Sequence, residues 1–159
     1  MANQPSPAWW DAQYPDKRRA FDYVSFAVEQ VEQLAPLLPD NPSLEGVVRA
    51  ACIESFWVNV RLLAEFLVRG TDARDWQVQD FAPGWVATDA SAAERLRSAW
   101  ALSSQHVMHL SKTRTPENLT DVEPVSAELY QQVARDCGMV YEDLNEFMDK
   151  HREDTENGF

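Results

Sequence analysis

The sequence predicts an all-α protein, a four-helix bundle joined up-down-up-down. Three observations lead there. Apolar residues recur at alternating spacings of three and four along separate segments, the period of a helix face buried against neighbours. The segment from Ala50 to Val68 is apolar almost all the way round a helix and therefore requires other elements to surround it. No stretch shows the two-residue alternation of a half-buried strand. At 159 residues the chain fits one domain, residues 1–159. A core of that size buries roughly two thirds of the unfolded surface.

Residues 1–15 contain Pro5, Pro7, Trp9, Trp10, Tyr14 and Pro15. They read as an arm without regular structure that packs on the body, because paired indoles are large apolar groups to leave in water. From Asp16, a plausible N-cap, Phe21, Val24, Val28, Val31, Ala35 and Leu38 form one helix face, ended by Pro36 and Pro39. The central helix is expected from Asn41 as N-cap, with Pro42 at its first position, to a closing Gly70. Glu54, Ser55, Asn59, Arg61 and Glu65 interrupt its apolar surface. Between Thr71 and Ala90 the helical period disappears, and Trp76, Phe81 and Trp85 predict an ordered, tryptophan-containing loop around the Pro83-Gly84 turn. Ser91 and Glu94 form a capping-box signature for a third helix to about Thr113, with Leu96, Trp100, Ser103, Val107 and Leu110 inward. Ser126 caps the last helix, where Tyr130, Val133, Cys137, Val140, Leu144, Phe147 and His151 hold heptad spacing. Residues 153–159 are expected to be a frayed acidic tail.

Net charge is −12 and uneven: residues 121–159 carry 11 acids against Arg135, Lys150 and Arg152, a net −8. Such a chain lacks the general attraction for phosphates on which nucleic-acid binding depends, and a basic partner suits it better. Cys52 and Cys137 fall on apolar stripes and read as reduced thiols, with a disulfide as the alternative. The N-terminus shows no signal pattern, and Glu54, Arg61 and Glu65 argue against a membrane span, so the expected location is the cytoplasm. The sequence contains no G-x-G-x-x-G, P-loop, G-x-S-x-G, C-x-x-C or H-E-x-x-H pattern, and no cofactor is expected.

One polar constellation remains. His106 and His109, three apart, are weak metal candidates with Glu54 and Glu65 as potential co-ligands, but the Glu-x-x-His pairs of di-iron bundles are missing, and no metal is expected. Lys112 and Arg114 beside His109 fit either an anion site with a proton-transferring imidazole or cations that complement a helix C-terminus. Arg61 and Glu65 are spaced to pair along their own helix.

Glu54-Ser55-Phe56, Arg61-Leu62-Leu63 and Phe66, then Asp80-Phe81 and Trp85, then His109-Leu110-Ser111 with Arg114 resemble a group of uncharacterised bacterial helical proteins. That group pairs an E-x-F-x4-R-x-L helix with an H-L-[ST]-x-x-R motif. More remotely the pattern is similar to the HEPN superfamily, which includes RNA-cleaving toxins and non-catalytic binding modules. The resemblance implies a helical fold and, if there is a site, Glu54, Arg61, His109 and Arg114 as its residues. HEPN nucleases use an Arg followed after four to six residues by His; here Arg97 precedes His106 with eight between. Two readings follow: a non-catalytic interaction or self-associating module in which the cluster fixes helix register, or a HEPN-like ribonuclease or toxin-system component in which it lines a cleft.

Overall fold

The computed structural model describes residues 15–38, 41–70, 74–104 and 125–156, with side chains through residue 152. Four helices pack together: α1 (Pro15–Leu34), α2 (Gly46–Ala64), α3 (Ala90–Ser103) and α4 (Ala127–Glu156). No strand occurs among the described residues. Helix α1 packs on α2, α2 on α3, α3 on α4 and α4 back on α1, with α2 also touching α4 across the bundle.

Helix α1 buries Phe21, Val24, Ala27, Val28 and Val31, the face read from the sequence, and a short 3-10 turn over Ala35–Leu37 carries the chain past Pro36. Proline has no N–H to continue the ladder, and it biases the residue before it away from helical geometry. Ser25 and Tyr141 share a hydrogen bond between α1 and α4. Opposite Gly138 of α4, Glu32 Oε1 lies 2.7 Å from where a Cβ would stand, a contact the flexible Glu32 side chain could relieve by shifting.

The start of α2 differs from expectation. Asn41 Oδ1 accepts the Ser43 N–H at 3.0 Å, and the Leu44 N–H bonds Asn41 O at 3.0 Å, so Asn41 caps a separate turn. Glu45 is the N-cap, without a side-chain bond. The expected burial all round the helix does not hold: even its later half leaves Val58 47% exposed. Val47 is 85% exposed, whereas Phe56, Trp57, Val60 and Leu63 are fully buried. Apolar composition sets what a helix can bury; which turns are covered depends on where neighbours reach it. Each such fully buried side chain is worth about 1.5–3 kcal/mol. Phe56 and Tyr130 meet edge to face at 4.9 Å, and Phe56 and Trp57 at 5.2 Å. Burial pushes the Tyr130 hydroxyl pKa up, with a hydrogen bond to Trp57 partly offsetting it.

Past Ala64 the helix widens into one π turn, Glu65–Arg69, closed by the Gly70 N–H on Glu65 O at 3.0 Å. Gly70 has φ 73°, a conformation that disfavours any side chain. Next, Gln77 and Asp80 cap a 3-10 turn reciprocally. Phe81 and Trp85 are buried, while Trp76 stays largely exposed against the Phe81 ring.

Asp89, not Ser91, caps α3: its Oδ1 accepts the N–H groups of Ser91 and Ala92 at 2.9 and 3.0 Å. A carboxylate two residues earlier reaches both orphan donors, which leaves Ser91 inside the first turn. In α4 the Ser126 Oγ accepts the Leu129 N–H at 3.2 Å. Tyr130, Val133, Cys137, Val140 and Leu144 are buried as their spacing implied. Phe147 and His151 are half-buried, and Met148 takes the core position beside them. The helix runs on to Glu156, into the segment the sequence marks as an acidic tail. The arm before Pro15, the third helix beyond Ser104 and residues 157–159 lie outside the described residues.

Candidate functional site

Glu54, Arg61 and Glu65 sit seven and four residues apart on α2, spacings that place them on one stripe of the helix. Glu54 is exposed near the middle of that stripe. Toward its end the stripe meets α3. Arg61 Nε donates to Glu65 Oε1 at 3.1 Å and Arg61 Nη1 to Ser104 Oγ at 3.0 Å. Trp100 Nε1 donates to the same Glu65 Oε1 at 2.8 Å. Arg61 and Glu65 retain 26% and 28% exposure, so water screens the pair without dissolving it.

The π turn adds a second cation to this cluster. Eight residues of regular α-helix would turn Arg69 about 80° away from Arg61. A π turn takes up roughly one extra residue and winds Arg69 back to the same side. Accordingly Arg61 and Arg69 both lie against the Trp100 ring, at 5.3 and 3.2 Å from its centroid. Glu65 also lines an open cleft of ≈ 750 Å³ with Tyr23, Leu62, Phe66 and Trp76, and Asp16 and Arg19 pair with each other in its wall.

Of the four residues singled out by resemblance, α2 holds Glu54 and Arg61 on one stripe; His109 and Arg114, like His106, lie outside the described residues. Among the described residues no group of three or more His, Cys, Asp and Glu is placed to hold a metal ion. No described helix is long and apolar enough to cross a membrane. Both cysteines are free thiols, Cys137 fully buried. Burial raises the Cys137 thiol pKa, and the nearby Asp136 and Glu32 carboxylates raise it further. Such a thiol is a core group rather than a nucleophile.

A second polar centre was not anticipated. Asp136 of α4 is 1% exposed and receives a fork from Arg95 of α3, Nε on Oδ2 at 2.9 Å and Nη2 on Oδ1 at 2.7 Å. Gln132 Nε2 adds a third donor at 3.1 Å. The hydrogen bond to Asp136 raises the Arg95 pKa, against a desolvation cost that would lower it. The sequence did hold a signal: Asp136 stands three after Val133 and four before Val140, on the stripe that goes inside. Its partner, 41 positions away, has no local signature.

Comparison with known protein families, curated proteins and solved structures finds no match to this chain. In the α2–α3 cluster each cation is met by a carboxylate, a hydroxyl or an indole face, and both donors to Glu65 come from the protein itself. No imidazole stands beside it among the described residues. The only described histidine, His151, has Nδ1 3.0 Å from Phe147 O on α4. These bonds join α2 to α3, and among the described residues no nucleophile stands beside a base.

Proposed function

We propose that this chain is a non-catalytic, cytoplasmic helical-bundle module of up-down-up-down topology that works by binding a basic protein segment, with self-association as a further mode. The observation that carries the reading is the distribution of unmatched charge. Where cations and carboxylates meet, on α2–α3 and at Arg95–Asp136, they are used on each other. Two exposed acids of α4 are not: Glu142 and Glu146 form no hydrogen bond or ion pair among the described residues, whereas Asp149 pairs with Arg152. An unneutralised negative strip steers and orients a positive partner and repels phosphate backbones.

The competing reading, a HEPN-like ribonuclease or toxin-system component using Glu54, Arg61, His109 and Arg114, makes the opposite prediction. The test is fluorescence anisotropy of the full chain against a labelled Lys-rich helical peptide and a labelled structured RNA, with the RNA recovered on a gel. The expected outcome is saturable, salt-sensitive peptide binding and intact, unbound RNA. RNA cleavage lost in His109→Ala, without peptide binding, would overturn the proposal.

A further inference from the structure

A groove of ≈ 560 Å³ runs between the start of α3 and the middle of α4. Its accessible apolar lining is Ala87, Ala90 and Met139, the last 46% exposed, over the buried Val140. Around that floor stand four carboxylates, Asp89, Glu142, Asp143 and Glu146, and no Lys or Arg lines it among the described residues.

The walls are held in place. The Thr88 N–H donates to Asp143 Oδ2 at 2.9 Å and the Thr88 hydroxyl to Oδ1 at 2.6 Å, which ties the approach to α3 onto α4. Asp89 is fixed by capping α3. The positive end of the α3 dipole is thereby already met by a carboxylate, and the groove offers an anion nothing. Glu142 and Glu146 project one turn apart, and neither forms an ion pair among the described residues.

We infer that this groove is the docking surface of the module, and that its occupant is a basic amphipathic helix whose apolar side chain seats on Met139 and Ala87 while flanking Lys or Arg residues meet Glu142 and Glu146. The inference rests on the interaction-module reading. Charge complementarity selects the sign of the partner, and the exposed methionine supplies an apolar contact that adapts to shape. A purely polar basic tail would use the carboxylates and leave the apolar floor uncovered.

The test uses the full chain with 13C-labelled methionine methyls and, as probe, a synthetic Lys/Leu/Ala amphipathic helix. A Glu-for-Lys analogue of the peptide is the control. Met139→Leu assigns the Met139 methyl signal among the four methionines. The expected result is a saturable shift of Met139 with the basic peptide alone and no shift of the buried Met148. Glu142→Gln with Glu146→Gln should weaken binding about fivefold to tenfold, the scale of two partly screened ion pairs. The same change of charge on α1, Asp22→Asn with Glu29→Gln, should leave binding near its starting value. Peptide binding that leaves Met139 unmoved, or that both double variants weaken equally, overturns the groove while the module reading stands. Absence of binding to any basic peptide overturns both.

Discussion

The two charged centres of this bundle differ in how water reaches them. Arg61 and Glu65 lie on one helix, four residues apart and about a quarter exposed, with Trp100 and Ser104 of α3 completing their bonds. Arg95 and Asp136 join two helices across 41 positions, and the carboxylate is sealed at 1% exposure. A screened pair has a low cost when broken, because each partner can return to solvent. A sealed carboxylate has no such exit, so its stability depends on every donor it has been given. The contrast lies in the carboxylates, since Arg95 itself is 46% exposed and only Asp136 is shut off from water.

That contrast is open to direct measurement. Arg95→Ala strands the Asp136 carboxylate and should give the largest effect, a drop in thermal midpoint of about 10 °C. Replacing both partners with apolar residues, Arg95→Met with Asp136→Leu, should recover most of the loss in the same scan. A double variant no more stable than Arg95→Ala alone would mean that the pair acts through more than charge.

Alkaline pH probes the same buried layer from the side of its neighbours. The Cys137 and Tyr130 pKa values are raised in the folded protein from ordinary values of 9.0 and 10.0. Their contribution to stability is complete below those unfolded values. Above them the unfolded chain ionises while the folded chain holds its protons, so stability falls as pH rises, by about 1.4 kcal/mol per pH unit per group. Chemical denaturation at pH 8, 9.5 and 10.5 should show this decline, and Cys137→Val should remove its earlier part. A decline unchanged in Cys137→Val would place the titration elsewhere.

Smaller again are changes at the α2–α3 cluster. Arg61→Ala, which removes two partly screened hydrogen bonds, should lower the midpoint by about 2–4 °C, and Trp100→Phe, which removes one, by a lesser amount. If Arg61→Ala cost as much as Arg95→Ala, the cluster would be more sealed than its exposure implies.

Local periodicity made the helices legible. The inward faces of α1 and α4 follow from spacings of three and four that need no knowledge of a partner, and Arg61–Glu65 follows from the same rule. What spacing could not reveal was competition between caps and the reach of neighbours. Asn41 was committed to a turn of its own, Asp89 outreached Ser91, and Val47 is apolar on a turn that is largely exposed. Asp136 shows the limit most clearly. Its position on the stripe could be read from the sequence, but its partner could not, because a contact between separate helices leaves no mark in the local pattern.

The π turn at Glu65–Arg69 makes residue count a structural variable in its own right. A loop absorbs an added or lost residue in slack; here the surplus is stored inside a helix, at the point where the chain turns toward α3. Deleting one residue between Glu65 and Arg69 would restore an unbroken α ladder and leave Arg69 seven regular residues after Arg61, still on the side of Trp100. Gly70 would then start the following segment in the same direction. The heading of the chain out of α2 is therefore buffered: the π turn holds one residue that a single-codon deletion could remove without redirecting the backbone beyond it.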